Sequence, residues 1–163
     1  MPSNIVATVR KSYQRKFQDL CDQFIKKTNG SLFLKKHTEL VDSLLIKLWI
    51  DSDVSEKNTL IAVGGYGRNE LFPYSDVDIL VLNSEKSIEN DENISQFITK
   101  CWDIGLKIGH SVRNLAEVKV EFNADISTAT NLLEARLIFG SSDLYLKFNS
   151  TINKIINVKK FFK

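Results

Sequence analysis

Residues 60–82, LIAVGGYGRNELFPYSDVDILVL, constrain this chain more than any other stretch. An apolar run at 60–63 leads into Gly-Gly-Tyr-Gly-Arg. A short polar segment follows, and Ser75-Asp76-Val77-Asp78 then opens a second apolar run. Asp76 and Asp78 alternate with Val77 at the entry to a strand, so both carboxylates leave the same face. Val77, Ile79 and Val81 point the other way, toward a core, and hold the register. Two neighbouring carboxylates resist joint ionisation unless something positive holds them. A divalent cation is the simplest such group. Gly64 and Gly65 let the backbone approach a phosphate closely. The stretch reads as a site for a metal-bound nucleoside triphosphate.

The chemistry this suits is nucleotidyl transfer, in which an oxygen nucleophile attacks the α-phosphorus and pyrophosphate leaves. Positioning and charge neutralisation are the protein's main tasks in such a reaction. Magnesium fits the donor types, because it takes carboxylate and phosphate oxygens and retains some water. Asp76 and Asp78 are the candidate metal ligands. Ser75 adds a hydroxyl beside the first acid, and Arg68 is a candidate contact to the β- or γ-phosphate.

At 163 residues the length suits about one domain. The formal net charge of +2, spread along the chain, argues against a nucleic-acid binder that works by neutralising phosphates. Cys21 and Cys101 lie far apart with no metal-ligand spacing and read as buried thiols. No apolar run is long enough for a membrane span, and the start of the chain has no signal-like core, so a cytoplasmic location is expected.

Helical spacing predicts a helix over 10–28, with Tyr13, Phe17, Leu20, Phe24 and Ile25 on one face, ended by Asn29-Gly30. A second helix, capped by Ser31, runs to about Ile50. A loop spans 51–58. Strands are predicted at 60–63, 76–82 and 107–113, with a polar loop over 83–93. Between the last two strands, Ile94, Phe97, Ile98, Cys101 and Trp102 form a helical stripe, and Trp102 and Tyr66 read as core. Residues 115–122 fit strand and helix equally. A helix capped by Asp125 or Ser127 carries Leu132, Leu133, Arg136 and Leu137 and stops at Gly140, and one more helix starts at Asp143. The expected organisation is an N-terminal helical region at 1–55, a catalytic unit at 56–140, and the start of a further helical region at 141–163.

The motif AVGGYGRNELFPYSDVDILVL resembles the signature of the DNA polymerase β-type nucleotidyltransferase superfamily. With WDIGLKIGHSVRNL (102–115), ATNLLEARLIFG (129–140) and the helix ending VDSLLIKLW (41–49), it is similar to the nucleotidyltransferase region of the bifunctional uridylyltransferase/uridylyl-removing enzymes. The resemblance implies an α+β fold, a small mixed β-sheet flanked by helices. It implies UTP and Mg2+, a tyrosine of the bacterial nitrogen-regulatory PII signal protein as acceptor, and nucleotide- and metal-binding roles for Gly64, Gly65, Ser75, Asp76 and Asp78. The superfamily also draws a third carboxylate from a following strand, and residues 107–113 contain no acid. Asp125 is either that carboxylate or a helix cap. His110 and Arg113 are candidate contacts to the base or phosphate, the alternative being a structural role.

The family's uridylyl-removing domain carries a His-Asp pair, and ligand-sensing ACT domains follow it. No His-Asp dipeptide occurs in this chain. The resemblance therefore implies a fragment, a truncated product or a reduced relative. Two other functions compete with uridylyl transfer. One is a nucleotide-binding or regulatory module without catalysis, and the other is a small nucleotidyltransferase acting on a small molecule.

Overall fold

The computed structural model describes residues 3–84 and 91–161. The expected loop at 83–93 therefore lies partly outside the described residues, as does the end of the basic tail. The chain divides into two compact units. The first comprises Met1–Val54, Asn69–Val77 and Asp91–Gly109, and the second Ser55–Arg68, Asp78–Asn90 and His110–Lys163.

Three helices build the first unit: α1 (Ser3–Lys27), α2 (Gly30–Ile50) and α4 (Glu92–Asp103). The first begins well before the predicted residue 10. Asn29, not Ser31, caps α2, its side chain accepting the Leu32 N–H at 3.1 Å. Gly30 is thus the first residue of a helix rather than the end of one, and the chain turns at Thr28, whose φ is 49°. Val41, Leu44, Leu45, Leu48 and Trp49 are buried as their spacing predicts. Trp49 meets Phe97 of α4 edge-on at 5.2 Å. Phe24 and Ile25 are exposed, although the Phe24 ring meets Phe33 of α2 at 5.4 Å. Trp102 is 50% exposed and does not join the core. Cys101 is buried, which pushes its thiol pKa up, whereas Cys21 is only half-buried.

The second unit holds most of a four-stranded sheet in the order β3-β2-β1-β4. Its strands are β1 (Thr59–Ala62), β2 (Val77–Leu82), β3 (Ile108–Arg113) and β4 (Arg136–Gly140). The central pair is antiparallel, with Ile61 opposite Leu80, and β4 runs antiparallel to the other edge of β1. In contrast, β2 and β3 run parallel: Val77 N–H donates to Lys107 O at 2.7 Å and Asn83 N–H to Arg113 O at 2.8 Å, the same offset at both ends. The sheet is therefore mixed. The ambiguous stretch is helical, α5 (Leu115–Ala124), fixed by a capping box between Asn114 and Glu117. The helix predicted to reach Gly140 stops early, as α6 (Ile126–Leu133), and Arg136 and Leu137 lie on β4. The last helix is α7 (Ser142–Phe161).

Ile61, Leu80 and Leu82 pack with Val118, Phe122, Leu132, Leu144, Phe148, Ile152 and Ile155. Helices α5, α6 and α7 thus cover the sheet face that carries Leu80 and Leu82. Since Val77, Ile79 and Val81 are buried as well, β2 is buried on both faces, not on one. That explains its nearly unbroken apolar sequence.

Candidate functional site

The glycine turn is built directly onto the sheet. Val63 is extended, and its N–H donates to Asp78 O at 3.0 Å, adding one more bond beyond the β1–β2 ladder. Gly64, at φ 58°, then opens a single helical turn, α3 (Gly64–Gly67). Gly67 N–H donates to Val63 O at 3.1 Å and Arg68 N–H to Gly64 O at 3.2 Å. The N–H groups of Gly64 and Gly65 precede these bonds and have no acceptor inside the turn. A β-carbon on Gly64 would lie 3.4 Å from Asn131 Oδ1 and 3.6 Å from Asp78 Oδ2. The backbone of the turn, the Asp78 carboxylate and the Asn131 carboxamide therefore converge. Gly67 is required by packing, since a β-carbon there would lie 2.0 Å from Glu134 O, just past the end of α6.

Asp78 is half-buried and shares its strand face with Leu80 and Leu82, so it stands where the apolar cluster gives way to polar groups. Asp76 precedes β2 and belongs to the first unit. Its Oδ1 lies 3.2 Å from Lys107 Nζ, and both side chains are more than half exposed, so solvent screens the pair. Ser75 is exposed, and its N–H closes a turn onto Phe72 O at 3.1 Å.

Asp78 Oδ2 and Asn131 Oδ1 lie within 3.6 Å of one point. The Asp78 carboxylate is the donor type that suits a hard cation completing its shell with phosphate and water. Among the described residues, no three His, Cys, Asp or Glu side chains gather as a metal cage.

The other predicted residues are distributed differently. Arg68 forms an ion pair with Glu134, in the segment that follows α6. Arg113 pairs with Glu121 and donates from Nη1 to Val112 O at 2.8 Å. It stands at the Leu82 end of the sheet, about 13 Å along the strand from Asp78 at roughly 3.3 Å per residue. By the parallel register His110 lies opposite Ile79, on the face away from Asp78. Asp125 caps α6: Oδ2 accepts from Thr128 N and from Thr128 Oγ1, each at 2.7 Å. The hydroxyl bond, followed by the backbone one, holds its carboxyl pKa below the usual aspartate value. Arg136 lies over the Tyr66 ring at 5.3 Å, and Tyr66 is buried as predicted.

Asn131 and the Arg68–Glu134 pair were not visible in the helical pattern, which reads only the leucines of α6. The signal available was the polar pair at i and i+3, Asn131 and Glu134, on the side away from Leu132.

A family model for the nucleotidyltransferase domain matches residues 45–133. The bifunctional uridylyltransferase/uridylyl-removing enzyme of Nitrosospira multiformis is 39% identical over 160 residues, covering 94% of this chain and 17% of that protein. The enzyme of the same name from Hydrogenovibrio crunogenus is 44% identical over 146 residues, covering 86% and 16%. That from Thiobacillus denitrificans is 36% identical over 163 residues, covering 99% and 19%. A crystal structure of a toxin–antitoxin with AMP-PNP superposes at TM-score 0.47 with 19% identity, over 73% of this chain and 90% of that one. The chain spans less than a fifth of the length of these curated relatives. With the matched region reaching from α2 through the glycine turn and β2 to the end of α6, the chain belongs to the nucleotidyltransferase domain family.

Proposed function

We propose that this chain is a uridylyltransferase unit that takes UMP from UTP and places it on a tyrosine of the PII signal protein. The observation that carries the reading is the convergence of the Gly64 backbone, Asp78 and Asn131 at the start of β2, within the matched region. The choice of UTP and of PII rests on the similarity to the uridylyltransferases. In the reaction the tyrosine oxygen attacks the α-phosphorus, the bond to the β-phosphate oxygen breaks, pyrophosphate leaves and the hydroxyl proton is released. Asp76 and Asp78 would hold Mg2+ through their carboxylates. When bound, the ion neutralises triphosphate charge and stabilises the leaving pyrophosphate. Gly64 and Gly65 offer N–H groups to phosphate oxygens, and Ser75 adds a hydroxyl. Arg68, oriented by Glu134, supplies positive charge at the end of the turn. His110 and Arg113 are proposed as contacts to more distant parts of the substrates. In domain terms, residues 1–55 form a helical region, 56–140 the transferase domain and 141–163 the start of a further helical region, in a cytoplasmic protein. Among the described residues, no helix is long and apolar enough to cross a membrane.

One observation favours a second reading, a module that binds nucleotide without turnover: the Asp125 carboxylate is committed to its cap. Transfer of label from α-labelled UTP to purified PII protein separates the two. Labelled PII that depends on magnesium supports the transferase. Tight UTP binding with no labelled PII supports the module.

A further inference from the structure

We propose that Asn131 is a substrate-binding residue, its carboxamide donating a hydrogen bond to a phosphate oxygen of the triphosphate held over the Gly64–Gly65 turn. The inference rests on the nucleotide-binding reading above. Asn131 Oδ1 lies 3.4 Å and Asp78 Oδ2 3.6 Å from the point where Gly64 would carry a β-carbon. That point is empty of side chain only because the residue is glycine, and its φ of 58° is one that a larger residue adopts with strain. Three polar elements therefore border one small space: backbone N–H groups, a carboxylate and a carboxamide.

Their charges assign their tasks. A carboxylate cannot touch a phosphate without a cation between them, so Asp78 serves the cation side. The phosphate side needs donors. The turn supplies N–H groups, and a half-turn about the last side-chain bond of Asn131 presents its NH2 group to the same space. A carboxylate at position 131 would place a second negative charge beside Asp78 and against the phosphate. The position is held by two anchors, one at each end of α6. Asp125 caps the start of α6 about 9 Å away along the helix axis, at roughly 1.5 Å per residue. The Arg68–Glu134 pair ties the far end of α6 to the glycine turn. Asn131 itself is exposed, so nothing in the core depends on it.

The test measures UTP affinity with magnesium for the wild type, Asn131→Ala and Asn131→Asp, with melting temperature as the control for folding. Loss of one hydrogen bond to a charged group weakens binding about 10- to 100-fold. Asn131→Ala is expected to show that loss with an unchanged melting temperature, and Asn131→Asp a larger one. Wild-type affinity in both variants overturns the inference while leaving the nucleotide site standing. So does tighter magnesium-dependent binding by Asn131→Asp, which would make the side chain an oxygen ligand and not a donor. A wild type that binds no triphosphate overturns the inference together with the reading beneath it.

Discussion

Gly67 shows how one residue can settle the shape of the site without touching substrate. Its missing side chain lets the α3 turn rest on Glu134 O, and Glu134 in turn pairs with Arg68. Gly67→Ala is expected to destabilise the protein by about 1–3 kcal/mol, the usual range for overpacking, since the clash is with backbone that cannot swing aside. Gly30 is the contrast, with nothing within 4 Å of its would-be β-carbon. Gly30→Ala should raise stability by up to about 1 kcal/mol through the unfolded chain. Paired urea melts check both, and equal effects would refute the packing account. At this scale the sequence was legible where local geometry follows from type and spacing, as in the positive φ of Gly64 and the place of Asp78 on β2. It was not legible where a contact joins distant residues. Arg68 reads as a free phosphate ligand until β4 brings Glu134 beside it. Asn131 carries no signal in the helical pattern, and only the fold brings it beside Gly64.

The elements tell the same story through periodicity. Helices α2 and α4 were readable because their apolar stripes are long, even though the cap of α2 falls at Asn29 and not at Ser31. The edge strand β4 was hidden because Leu132, Leu133, Arg136 and Leu137 fit helical spacing, and only its pairing with β1 selects a strand. Asp125 belongs here, as the cap of α6. Asp125→Asn should leave the melting temperature unchanged, whereas Asp125→Ala should lower it, because only the alanine leaves the Thr128 N–H without its acceptor. Its folded pKa is depressed, so its contribution is full above the usual aspartate pKa and is lost as pH falls through the lower folded value. Asp125→Ala should therefore remove part of the acid-side decline in stability. In the first unit, His37 is 3% exposed, and its Nδ1 lies 2.8 Å from Leu71 O. Burial lowers its pKa, outweighing that bond, so the folded state binds its proton less readily than the unfolded chain does. Stability should hold above the usual histidine pKa of about 6.5 and fall as pH drops from there toward the lower folded value. Urea melts from neutral to mildly acid pH check this. The slope should flatten in His37→Gln, and an unchanged slope would assign it to other groups.

For the molecule as a whole, the proposed function requires that the glycine turn and Asp78 together form a magnesium-dependent nucleotide site. The matched residues 45–133 include the turn, both acids and all of α6. The chain covers 17% and 16% of the length of two such relatives, and the nucleotidyltransferase domain match lies within it. The direct measurement is calorimetric titration of UTP, with and without magnesium, into the wild type and Asp78→Asn. The substitution keeps the shape of the side chain and removes its charge, so the melting temperature serves to show that the fold is intact. Wild-type binding is expected to need magnesium, and Asp78→Asn to lose this dependence along with at least tenfold in affinity, about 1.4 kcal/mol. Equal, magnesium-dependent binding by both proteins would contradict that requirement.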